Sequence, residues 1–198
     1  MGRNVGSSTV PSWSLPDHHP LRRFFTVLTE RKFYEHLGWP DQRIIQYVAH
    51  LLANFADVDR VYGFRDELGR PRTRLSEMLL DAETQTSRGG ERDAHRQIGD
   101  FTLFMMGLFP EHLTRLRTRI LVAGGDVLLD YVKVGKRSYR IVAELPDDAR
   151  DAGEDDAPLF RRLSEHFELC VAGLGYVREE LRRRPERPWD RFRERFLN

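Results

Sequence analysis

Phe101-Thr102-Leu103-Phe104-Met105-Met106-Gly107-Leu108-Phe109-Pro110 carries no charge, and it follows directly on a carboxylate, Asp100. It is half as long as the ~20 residues a membrane-spanning helix needs, so the run is expected inside a soluble protein. From about Glu91 up to this run the pattern is amphipathic, which predicts one helix from about Glu91 to Phe109. That helix begins two-faced and ends apolar on nearly every side, and Pro110 closes it. Such a helix belongs in the middle of a bundle.

Working outward toward the N-terminus, Gly89-Gly90 reads as a break. Leu75, Met78, Leu79 and Ala82 mark a short helix before it. The connection 57–72 contains Val-Tyr-Gly-Phe and Glu-Leu-Gly-Arg-Pro pieces that fit a short hairpin near 61–72. Asp41 is a candidate cap for a helix with the apolar stripe Ile44, Ile45, Val48, Leu51, Leu52 and Phe55. Pro20 suits the first position of another, since its missing N–H costs no hydrogen bond there. Leu21, Phe24, Phe25, Leu28, Phe33, Tyr34 and Leu37 follow, with Gly38 as the stop and Trp39-Pro40 as the corner.

Toward the C-terminus, Leu113, Leu116 and Ile120 suggest a fifth helix ending at Gly124-Gly125. Asp126 can cap a sixth, with the stripe Leu128, Tyr131, Val132, Gly135, Tyr139 and Val142. Gly135 and Ser138 make that stripe shallow, and glycine inside a helix costs roughly 1 kcal/mol against alanine, so close packing is the expected compensation. After an acidic loop at 147–157, Pro158 opens a long seventh helix with Leu163, Phe167, Cys170, Leu174, Val177 and Leu181 in register. Strand signals are nearly absent. The expected fold is all-α, a single-domain bundle of about six to seven helices over 20–182, with a flexible arm at 1–19 and a basic tail at 183–198.

The 198 residues are enough to bury a real core, and the formal charge of +1 supplies no whole-molecule attraction to nucleic acid or anionic lipid. All but three of the 32 basic residues are arginine, which fits a coding bias as well as phosphate recognition. The single cysteine, Cys170, excludes an internal disulfide and a Cys-rich metal site. Neither a signal peptide nor a myristoylation pattern is visible at Met1–Val10, so the expected location is cytoplasmic.

Chemistry concentrates where Asp100 meets the apolar run. A carboxylate there must pair or protonate, because burying it alone costs several kcal/mol. The sixth helix offers Lys136 and Arg137, flanked by Tyr131 and Tyr139, and His95 lies five residues before Asp100. The candidate polar cluster is therefore His95, Asp100, Tyr131, Lys136, Arg137 and Tyr139. Its structural reading is a buried ion pair from Asp100 to Arg137 or Lys136 that locks the crossing of the two helices. Its functional reading is a cleft with an acid, a histidine and two tyrosines.

Other chemistries find less support. The residues three before each histidine are Leu15, Pro16, Phe33, Tyr47, Arg92, Phe109 and Leu163, so the Glu-x-x-His motif of carboxylate-bridged metal sites never occurs. No metal and no cofactor is expected. Arg161 and His166 match the Arg-x(4–6)-His pattern of HEPN-like ribonucleases, as do three other pairs. About three matches arise by chance in so arginine-rich a chain, so the pattern does not discriminate. No nucleophile elbow or phosphate loop follows a strand. The tail from Arg178 has eight arginines against five acids, with Trp189 and Phe192 between them, a weak fit to RNA stacking.

The stretch from His95 through Asp100 and Phe109 to Glu111, followed by Asp130-Tyr-Val-Lys-Val-Gly-Lys-Arg-Ser-Tyr139, resembles segments of uncharacterised bacterial all-helical proteins. The resemblance extends over about Pro20–Leu181. It implies a helical fold and carries no activity or site residues with it. The expected function is a non-enzymatic interaction or regulatory module that binds a protein partner or a small apolar ligand. The ligand would be lined by Phe101, Phe104, Met105 and Met106. The alternative is an enzyme using the His95/Asp100/Tyr139 cluster, or a nuclease using Arg161 and His166.

Overall fold

The central helix is α4, Arg88–Leu108, in a computed structural model that describes residues 15–16, 18–56, 75–113, 130–145 and 156–184. Seven helices run through these residues: α1 (Pro20–Leu37), α2 (Gln42–Ala56), α3 (Leu75–Glu83), α4, α5 (Tyr131–Glu144), α6 (Ala157–Glu165) and α7 (Phe167–Arg183). The chain turns helical again over 110–113, which makes an eighth. Among the described residues there is no strand. The expected hairpin near 61–72, the fifth helix beyond 113 and the tail beyond 184 lie outside them.

Helix α4 packs on α3, α5, α7 and α2, most extensively on α5. Phe101, Leu103, Phe104, Met105 and Leu108 are all buried, as an all-round apolar helix requires. Phe104 stacks face to face on Phe55 of α2, with centroids 4.1 Å apart. Its start differs from the expectation. Gly89 and Gly90 lie within the first turn, and Ser87 caps it by accepting from the Gly90 N–H at 3.1 Å. An N-cap hydroxyl satisfies an N–H that the helix itself leaves without a partner, so the glycines are entered rather than skipped.

Helices α1 and α2 form a hairpin. Pro20 stands in the first turn of α1, and His19 Nδ1 accepts from the Leu21 N–H at 3.3 Å. Gly38 ends the helix in the left-handed region, φ 57°, which glycine adopts without a Cβ clash. Asp41 caps α2 by accepting from the Ile44 N–H at 3.2 Å. Ahead of α1, Leu15 is buried and its N–H donates to Asn54 Oδ1, so the body of the protein includes the end of the segment read as an arm.

Helix α5 begins at Tyr131, with Asp130 as its cap; Asp126 lies outside the described residues. Its shallow stripe is used as expected. A Cβ on Gly135 would fall 2.5 Å from Thr102 Oγ1 of α4 and 2.6 Å from the Phe167 ring of α7. On the other side of the crossing, a Cβ on Gly99 would fall 2.6 Å from the Tyr139 ring. Two glycines, one on each helix, therefore set how closely α4 and α5 approach.

The long seventh helix of the sequence reading is two helices, broken at His166 with φ −104°, ψ 25°. The hydrogen-bond ladder survives the break, because His166 N–H donates to Arg162 and the His166 carbonyl accepts from Cys170 N–H. The apolar stripe also runs through it, with Leu163, Phe167, Cys170, Leu174, Val177 and Leu181 all buried. Side-chain periodicity alone cannot reveal a break that keeps the stripe in register.

Candidate functional site

Asp100 sits where α4 is crossed by α2 and α5. Its Oδ1 accepts two phenol hydroxyls, from Tyr47 of α2 at 2.6 Å and from Tyr139 of α5 at 2.8 Å. The two rings meet edge to face, 6.3 Å apart, and both pack on Phe160 of α6. The Arg92 guanidinium lies 5.5 Å over the same Phe160 ring. Arg96, one turn before Asp100 on α4, is mostly buried and pairs with Asp93 at 3.4 Å.

The electrostatics follow from this enclosure. Burial pushes the Asp100 carboxyl up to about 6, against the opposing pull of the Tyr47 hydroxyl, the Arg96 charge and the Tyr139 hydroxyl. Burial likewise holds both phenols well above their ordinary value, and the adjacent Asp100 carboxylate raises them further. They are donors, and they stay protonated.

The cation expected for Asp100 is not there. Lys136 Nζ reaches Glu168 of α7 instead, at 2.8 Å and 3.0 Å from its two oxygens, on the protein surface. Arg137 is exposed, and its charge acts on His95. The physical reason is desolvation: an ammonium or guanidinium dragged inward would cost as much hydration as the carboxylate loses, whereas a phenol donates from an apolar body. The expectation of an α4–α5 contact at Asp100 holds; the expected ion pair gives way to two tyrosines.

His95 points its Nδ1 at Ser138 Oγ, 3.3 Å away, so it joins α4 to α5 without touching Asp100. Burial lowers its basicity, partly offset by Glu91, and Arg137 lowers it further. Tyr131 is half-buried against the core, and burial raises its phenol. Of the six residues singled out from the sequence, the structure joins only Asp100 and Tyr139 directly. Arg161 and His166 are both exposed, and His166 meets Trp39 edge-on at 5.3 Å. Cys170 is buried, and burial pushes its thiol up, as befits a small core residue.

Sequence reasoning missed Tyr47, Arg96 and Phe160. Tyr47 lies at the edge of the α2 stripe, three residues after Ile44 and four before Leu51, where a tyrosine can bury its ring and aim its hydroxyl sideways. Arg92, Arg96 and Asp100 are spaced four apart, hence on one face of α4. Those were the available signals. Among the described residues no three His, Cys, Asp or Glu side chains gather to hold a metal, and no helix is long and apolar enough to cross a membrane.

No family model, curated protein or solved structure matches the chain.

Proposed function

We infer that the chain is a non-enzymatic helical interaction module that binds a protein partner. The observation that carries this reading is how the polar groups of the bundle are used. Asp100 is engaged by two phenols, Tyr139 is buried, His95 faces Ser138 and Lys136 faces Glu168. An acid–base catalyst needs its groups within hydrogen-bond reach of a substrate, and these groups are spent on helix packing.

The surface supports the same reading. On α1, Val27 is 67 % exposed and Tyr34 41 % exposed, and their seven-residue spacing places them on one face. Leu80 of α3 adds a third outward apolar side chain. A small apolar ligand is the less favoured occupant. Phe101, Phe104 and Met105 are buried, and Phe104 is already stacked between Phe55 and Phe109.

Native mass spectrometry of the full chain purified from its own host, as wild type and as the Val27→Glu/Tyr34→Ala variant, tests the proposal. A protein partner is expected on the wild type and lost from the variant at unchanged melting temperature. A bare chain in both preparations, or a bound small molecule retained by the variant, overturns it.

A further inference from the structure

Two phenols converging on one carboxylate oxygen, from two helices that cross a third, make a junction whose only ionised member is Asp100. Asp100 is half-buried, so its proton can exchange with solvent. We propose that the Tyr47–Asp100–Tyr139 cluster is a proton-responsive clasp, in which protonation of Asp100 tightens the seating of α2 on α4 and α5.

The sign follows from what each protonation state loses on burial. The carboxylate gains two charge-assisted hydrogen bonds but surrenders its hydration, and the loss outweighs the gain. The protonated acid has no charge to desolvate. It can carry its proton on Oδ2 while Oδ1 still accepts from both tyrosines. A closed junction therefore binds the proton more tightly than an open one, and by linkage the proton favours closure. With a folded-state value of about 6 and an open-state value near the ordinary ~3.9, the opening equilibrium falls by about tenfold between pH 7.5 and pH 5.

The charged neighbours have been taken element by element. Helix α2 contributes Tyr47, α5 contributes Tyr139, and α4 itself contributes Arg96, whose positive charge favours the carboxylate. Asp156, at the head of α6, acts on Tyr47. Among the described residues of α3 and α7, no titratable group shifts Asp100. His95 sits at the same α4–α5 crossing and works in the opposite sense, since its lowered basicity makes acid unfavourable there. The diagnostic quantity is therefore the difference between wild type and an Asp100→Asn variant, which keeps His95 and cannot titrate at position 100.

Hydrogen exchange of the full chain at pH 7.5 and pH 5, corrected for intrinsic rates, reads the clasp. Amides of α2 around Tyr47 are expected to gain about tenfold more protection in acid in the wild type than in Asp100→Asn. Equal pH responses in the two proteins overturn the proposal. Should Asp100→Asn fail to fold, the titration of the wild-type Asp100 carboxyl by carbon NMR replaces it. A midpoint near 6 supports the clasp, and one near 4 overturns it.

Discussion

Tyr47 and Asp100 lie 53 residues apart in the chain, and the hydroxyl of the first is 2.6 Å from the carboxylate of the second. Tyr139, 39 residues further on, donates to the same oxygen. The contact that ties three helices together thus has one acceptor and two neutral donors. That arrangement sets what happens when any of the three is changed.

Replacing Asp100 by alanine strands two buried phenol hydroxyls, each costing roughly 1–3 kcal/mol when left without a partner. Asp100→Ala is expected to lower stability by about 2–5 kcal/mol at pH 7. Asp100→Asn, which still offers an acceptor and carries no charge to bury, should lose far less. Urea denaturation of the two variants side by side checks the order, and an alanine variant as stable as the asparagine one would contradict it.

Stability should respond to pH through Asp100 and His95 in opposite directions. The Asp100 value is raised in the fold, so its contribution is fully present below ~4 and lost as pH rises through about 6. The His95 value is lowered, so its contribution is present above ~6.5 and lost as pH falls. His95→Gln is therefore expected to be more stable in acid, relative to pH 7.5, than the wild type is. Melting temperatures at pH 5 and pH 7.5 decide this.

Lys136, expected from the sequence to neutralise the buried acid, pairs on the surface with Glu168. Exposed pairs contribute little, so Lys136→Met should change stability by less than about 1 kcal/mol. A loss of several kcal/mol in denaturant unfolding would return Lys136 to the core role that the structure denies it.

Gly135→Ala tests the close approach of α5. The added methyl would meet Thr102 and the Phe167 ring, both buried, at 2.5–2.6 Å. Helix propensity gains about 1 kcal/mol, but overpacking costs about 1–3 and more where neighbours cannot move. A net drop in melting temperature is expected. Calorimetry showing a rise would mean that the crossing has slack.

Cys170 should react with a thiol reagent only when the protein opens. Its side chain is buried, and burial raises its thiol, so little reactive thiolate is present. Labelling rates that track denaturant concentration are the expected result, and fast labelling of the native protein would show that α7 is not packed as described.

Much of the fold was legible because helix periodicity is a local property. Pro20, Gly38 and Asp41 mark a stop and two starts through backbone chemistry that involves only near neighbours. The misplaced features are ones where two local signals competed. At Gly89-Gly90 an N-cap serine outweighed the glycines, and at His166 a kink left the apolar stripe intact. In the candidate site, the shallow groove at Gly135 and the need to desolvate Asp100 were both readable.

The order of the helices, the central place of the 101–109 run and the awkward acid at its head were determined by the sequence itself. They follow from the spacing of apolar residues within a few turns. Which group answers that acid was decided only by the tertiary structure. The choice of Tyr47 and Tyr139 over Lys136 and Arg137 depends on how α2 and α5 are rotated and advanced against α4. It also depends on the hydration that a second buried charge would forfeit, and neither quantity is written in the periodicity of any single helix.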